Sequence, residues 1–491
     1  MDRRADALPE RWSVLGAVGG RGAMAVDPAG RIVTGRNGWS LAWEVFTGTG
    51  RAVPGVGSTA RQRAAGAGAA APAGLETVLR AGEGDISQLV YVCLAPTAGA
   101  GAVGVVDVQN DTPAPVAVRL AVQPGDFWRP GGLWRVQVDD AGVQANGSPA
   151  LWWERPPAEV RLAMDAAAAL DIPEGAARAG PSDPEGSRRV RSRHGRAGAT
   201  LTWPVAHGSA LRVLLPLQAE ASPSPVPADV PTLAQVGSGW DTHAAGGLRV
   251  DGLASGRVAA VAAAAIRRLL ALEVGTEASH GPDGRFSPAE RALLAAALAV
   301  AGFARRAAEM VSLRAARRPD AIARLARQEA ARIAACFDAG TAAVATMAAN
   351  AGPTGGWASD RSGDDPLYRA AYLLVLRDLL VRERHGALDL LAGAAATADF
   401  GSRRPPVEVH RLGTHRGVLS FALRWHAATP ALLWEIVPPG NRLESWAAAV
   451  AGAGTGGDTG PAAPGPLQIT AAALAATWST REPAGEALLR P

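Results

Sequence analysis

Between about residue 10 and residue 220 the chain passes through one short apolar run after another, with no helical period between them. The runs fall at 38–46 (GWSLAWEVF), 75–82, 86–95, 103–109, 115–123, 134–140 and 211–217, and turn-forming clusters separate them. Val, Leu and aromatic residues in such runs suit a pleated, half-buried surface. Parallel neighbours need a crossover of a dozen or more residues, usually a helix. Strands that follow one another without helices therefore pair antiparallel and stack as a sandwich. The segment 109–115 (QNDTPAP) reads as a hairpin turn, since Asn, Asp and Pro favour turns. The stretch 145–149 (ANGSP) reads as a plain turn, although it holds a nominal glycosylation sequon.

The period then changes. A proline-rich segment at 221–231 (ASPSPVPADVP) marks a boundary, and beyond it apolar residues recur at helical spacing over 256–273, 287–311 and 320–349. Ser287, Pro288 and Glu290 form a helix start with a capping box. Short connections between such helices suggest stacked α-hairpins. After Pro405 and Pro406 the pattern returns to strands, at 407–412, 418–426 and 431–437, and a last strand pair lies around LQIT and ATWST. The expected organisation is an N-terminal β-sandwich (10–220), a linker (221–250), a helical domain (251–395) and a small C-terminal β-domain (405–491).

The clearest helix follows Asp365 and Pro366, an N-cap and first-turn pair, with Gly386 as its stop. Residues 370–376 (AAYLLVL) are apolar on every side, which predicts an inner helix surrounded by other elements. The loop before it carries Trp357, Asp360, Arg361, Asp364 and Asp365, so acids and an aromatic meet where a buried helix begins.

The chain contains no lysine, so all 49 basic residues are arginine. A phosphate-loop lysine, a kinase strand lysine and a lysine Schiff base are thereby excluded. A formal charge of +4 on 491 residues implies no field like that of a dedicated nucleic-acid binder. The basic cluster Arg188, Arg189, Arg191, Arg193, His194 and Arg196 lacks neighbouring aromatics to stack on bases and reads as a solvated loop. Nucleic acid is thus not the expected partner. Cys93 and Cys336 lie far apart in apolar surroundings, as for buried thiols in a reducing compartment. The N-terminus has no apolar core segment and the alanine-rich run 258–266 is too short to span a bilayer. These features predict a cytoplasmic protein with no membrane contact, no cofactor and no metal site.

Two segments carry a family resemblance: 372–391 (YLLVLRDLLVRERHGALDLL) and 407–425 (VEVHRLGTHRGVLSFALRW). They resemble the end of the last inner helix and the start of the cap in six-hairpin, or (α/α)6-toroid, glycosidases. Arg377 through Glu383 stand for the R-x-L-L-V-x-E pattern, Leu388 to Leu391 for the following leucine segment, and Thr414 to Gly417 for the T-x-x-G turn. The resemblance implies an α+β multidomain chain whose helical domain is a partial α/α toroid, and carbohydrate as substrate or ligand. Only five or six helices fit between 250 and 395, against twelve in a full toroid, and ADFGSRRPP replaces the family's usual tryptophan.

Hydrolysis of a glycosidic bond needs one carboxyl group as acid and another to activate water or attack. Asp360 and Asp364 are the catalytic candidates, with Trp357 as a sugar platform and Arg361 as a hydroxyl contact. Trp240, Asp241 and His243 of the GWDTH segment stand at the entrance to the helical domain and join them as substrate contacts. A partner carboxylate is sought among Glu309, Glu290 and Asp241. His410, His415 and His426 share no strand face that would gather a metal ion. The alternative is a non-catalytic carbohydrate-binding or interaction protein on the same scaffold.

Overall fold

The computed structural model describes residues 12–489 apart from 18–21, 35–38, 56–59, 66–72, 96–100, 126–131, 167–187, 218–229, 254–255, 273–285, 312–317, 335–347, 349–350, 352–356, 358–364, 385–386, 393–405, 427–428, 453–466 and 473. Within them strand outweighs helix, 47% against 26%.

The N-terminal part is the expected sandwich. One sheet has eight strands, built around Trp39–Thr47, Val116–Pro124 and Gly198–Val205; the other has nine, running from Arg188–Arg191 at one edge to Arg61–Ala65 at the other. Their named strands all pair antiparallel, as in the central match of Val118 with Val45 and with Trp203. Alternate residues of both sheets point inward. Trp39, Leu41, Leu120 and Trp203 from the first meet Leu79, Val90, Val108 and Val213 from the second in one core. The turn at Asn146 and Gly147 has both residues at positive φ and joins Gly142–Ala145 to Ser148–Trp153, the geometry an Asn-Gly pair provides.

The segment 109–115 is no hairpin. Gly101–Asn110 belongs to the nine-stranded sheet and Val116–Pro124 to the eight-stranded one, so the connection arches across the sandwich. Asn110 holds the arch: its amide donates to the carbonyls of Ala114 (2.9 Å) and Val205 (3.0 Å), and its oxygen accepts from Thr112. A side chain that bonds its own loop favours a turn but does not say which strand the chain pairs with next.

Seven helices are described beyond the sandwich: α1 (Leu233–Ala244), α2 (Gly256–Leu270), α3 (Pro288–Val300), α4 (Ala304–Glu309), α5 (Pro319–Ala334), α6 (Pro366–Leu380) and α7 (Arg442–Gly452). α1 lies within the stretch expected to be linker. The run 287–311 is broken at Gly302, which sits at φ +84°. α3 is central, packing against α5, α6 and α7. The capping box at Ser287 and Glu290 forms as expected, and Asp365 caps α6 by accepting from the Leu367 amide at 2.9 Å. α6 is buried on most of its surface.

The partial α/α-toroid expectation is overturned, and with it the helical domain as the centre of the fold. The molecule is predominantly β, with two sheets of eight and nine strands and two smaller ones. The helices share a single core with a five-stranded sheet (centred on Gly417–His426) and a four-stranded sheet, extending from Ala73 to Leu489. The leucine-rich run explains the misreading. α6 stops at Leu380, where Val381 turns extended (φ −143°); Val381–Arg384 and Ala387–Leu390 then pair antiparallel, and the latter pairs parallel with Gln468–Ala471. A short apolar run fits a buried strand as well as a buried helix. The strands expected at 407–412, 418–426 and 431–437 are present and are joined by Arg249–Asp251 and Ala484–Leu488. No helix among the described residues is long and apolar enough to cross a membrane.

Candidate functional site

α1 docks on the outer face of the nine-stranded sheet and creates a large hollow. Thr232 starts the helix with a capping box, accepting from the Gln235 amide while the Gln235 side chain accepts from the Thr232 amide. The Tyr91 hydroxyl, on Gly84–Ala95, donates to the Pro231 carbonyl at 3.0 Å and fixes the approach of the chain. A Cβ added at Gly237 would just reach Ala73, at the start of Gly74–Ala81, so helix and sheet lie close at that end.

Beyond that contact the surfaces diverge, leaving a hollow of about 680 Å³. Trp240 and His243 of α1 line it together with Gln235, Gly239, Cys93 and Leu94. His243 is exposed and stacks on Phe303 (5.9 Å between centroids, 20° between planes), which orients the imidazole. Burial pushes the Cys93 thiol up to about 11 and the Tyr91 phenol up to about 12. Both stay protonated at neutral pH, so Cys93 is a lining group and no nucleophile.

Asp241 turns away from this hollow and pairs with Arg267 on α2. The Arg267 guanidinium lies 5.9 Å from the centre of the Trp240 ring, and burial lowers its pKa against the opposing pull of Asp241. A smaller cavity of about 50 Å³ on that side is lined by Arg267, Arg268 and Arg369, with Trp240 as the wall shared with the large hollow.

A third hollow, of about 250 Å³, opens between α3, α5, α6 and α7 and is lined by Arg327, Arg377 and Asp378 among alanines. A polar chain leads inward from it, half-exposed at Asp378 and buried at Arg377 and Glu383. Arg377 Nε lies 2.8 Å from Asp378, while its Nη1 reaches Glu383 (3.4 Å) and the Ala451 carbonyl (2.7 Å). Glu383 in turn meets His415 Nδ1 at 2.6 Å. These are the residues of the R-x-L-L-V-x-E pattern and the T-x-x-G turn, and they tie the end of α6 to the hairpin Val407–His426.

Of the residues singled out from the sequence, Trp240 and His243 come together on one hollow and Asp241 faces its other side. Trp357 is buried, 5.2 Å from the Tyr372 ring. Asp360, Arg361 and Asp364 lie outside the described residues. Of the suggested partner carboxylates, Glu290 is buried in its capping box and Glu309 pairs with Arg305 and Arg306. Among the described residues no group of His, Cys, Asp and Glu could hold a metal ion. Among the described residues the lining of the large hollow includes no carboxylate, and glycoside hydrolysis is without support. Gln235 and Gly239 escaped the sequence reading, yet the spacing of Thr232 and Gln235 signals a helix start and would have placed both. Comparison with known proteins finds no family model and no curated relative that matches the chain.

Proposed function

We propose that this chain is a non-catalytic carbohydrate-binding protein, and that its ligand occupies the hollow between α1 and the nine-stranded sheet. The observation that carries the reading is the convergence of Trp240, His243 and Gln235 on one open cavity of about 680 Å³, within the roughly 300–1,000 Å³ of ordinary ligand pockets. A sugar presents C–H faces and hydroxyl edges. The indole and the apolar wall of Leu94, Val230 and Val236 suit the former; the Gln235 amide and the His243 imidazole suit the latter. Hydrolysis takes two carboxyl groups, and the lining contributed by the described residues has none, so the reading is one of binding. A free buried thiol at Cys93 is in keeping with a cytoplasmic, reducing setting.

Gly239 supplies the test. Its missing side chain would project into open space, so Gly239→Leu fills the mouth of the hollow while favouring the helix. Calorimetric titration with a panel of neutral mono- and oligosaccharides should find a ligand whose affinity falls about tenfold or more in Gly239→Leu and in His243→Ala, the cost of one or two lost contacts. Release of reducing sugar, or affinity unchanged in both variants, would overturn the reading.

A further inference from the structure

The hollow of about 250 Å³ between α3, α5, α6 and α7 shares none of its described lining with the one beneath α1. Two helices bring opposite charges to it. On α6, Leu374, Val375 and Asp378 stand three and four positions apart and turn one helix face to the space. On α5, Ala323, Ala326 and Ala330 do the same, with Arg327 beside them. The alanines end in methyl groups and leave the room, and Val450 of α7 adds to the apolar wall.

Asp378 Oδ1 is buried against Arg377 Nε at 2.8 Å, and Arg377 also serves Glu383 and the Ala451 carbonyl. The second oxygen of Asp378 has no partner among the described residues. The side chain is half-exposed, yet burial raises its carboxyl above the ordinary aspartate value, so its open side faces confined space. A cation brought to such a carboxyl favours its charged form. On the α5 wall, Arg327 Nε donates to the Ala323 carbonyl of its own helix (3.3 Å). Its two terminal nitrogens enter no hydrogen bond or ion pair among the described residues, with Asp378 or with any other carboxylate. Opposite charges that line one hollow without meeting leave a gap suited to a guest that carries both.

We propose that this hollow binds a free amino acid with a small aliphatic body, its ammonium on the Asp378 carboxylate, its carboxylate on the Arg327 guanidinium and its hydrocarbon against the alanines, Val375 and Val450. Guanidinium takes a carboxylate bidentately, and an ammonium offers a carboxylate up to three donors. The size agrees, since about 250 Å³ lies below the roughly 300–1,000 Å³ of pockets for drug-sized ligands. A guest with a single charge would cover the opposite wall without matching it, at the cost of desolvating that group. The test is calorimetric titration of the full chain with L-valine and with γ-aminobutyrate, whose two charges stand closer together and farther apart. Isobutylamine and isobutyrate, each with one charge, are the comparison. One of the two amino acids should bind at least about tenfold more tightly than either singly charged probe, the equivalent of one charge-assisted hydrogen bond. Asp378→Asn and Arg327→Gln should each weaken that binding about tenfold or more. Arg327 is exposed, so its replacement removes the contact and leaves the fold intact, which circular dichroism checks for both variants. None of the probes is a sugar and neither residue lines the hollow beneath α1, so the outcome is independent of the carbohydrate reading. Absence of binding by both amino acids, a singly charged probe bound as tightly, or affinity unchanged in either variant would overturn the proposal.

Discussion

Gly417 stands where the chain leaves the Thr414 turn, at φ +124°, with the Val437 carbonyl oxygen of the neighbouring strand directly above its Cα. A methyl there would overlap that oxygen, and backbone at both ends of the contact cannot move aside. Gly417→Ala should therefore cost about 2 kcal/mol or more, read as a fall in the urea midpoint; an unchanged midpoint would mean the hairpin tolerates a shift of register. Asp378 makes a different demand. Burial, opposed by Arg377 and reinforced by Glu383, raises its carboxyl above the ordinary aspartate value of 3.8. The folded chain then holds this proton more tightly than the unfolded chain does. Its contribution to stability is complete below the ordinary value and is lost as pH rises through the raised one. Asp378→Asn should accordingly gain in melting temperature relative to the parent as pH goes from about 3 to about 7. Parallel melting curves across that window would show that the carboxyl titrates alike in both states.

Elements were legible where local chemistry decides them. Asp365 with Pro366 and Ser287 with Glu290 mark helix starts because a cap is satisfied within a few residues. The strands at 407–414 and 417–426 show in their β-branched and aromatic content. The end of α6 was misread, with Gly386 as the expected stop six residues beyond the real one. What ends it is pairing: Val381–Arg384 pairs with Ala387–Leu390, which in turn pairs with Gln468–Ala471, about 80 positions away. The joint is locked by Arg377 and Glu383, both about 3% exposed. Glu383→Gln removes one of the two carboxylates that face the buried guanidinium, Asp378 remaining at 2.8 Å, and should destabilise by about 2 kcal/mol, measured by chemical denaturation. A loss below about 1 kcal/mol would place the lock in the Ala451 carbonyl instead.

At the scale of the molecule, antiparallel pairing in the first 217 residues followed from the sequence, because strands without crossovers have no other way to pair. So did the exclusion of lysine chemistry; Trp240 and His243 were singled out in a stretch expected to be linker, and it is the helix Leu233–Ala244 that sets them three positions apart on one face. Tertiary structure alone decided that Gly101–Asn110 and Val116–Pro124 separate into different sheets, and that helices and small sheets merge into one core instead of a toroid. It also decided that Arg135 pairs with Arg191 across neighbouring strands. Local pattern records what each segment can bury and how it caps itself. Which distant segment covers it is settled by the competition among all the apolar faces at once, and no window of sequence contains that comparison.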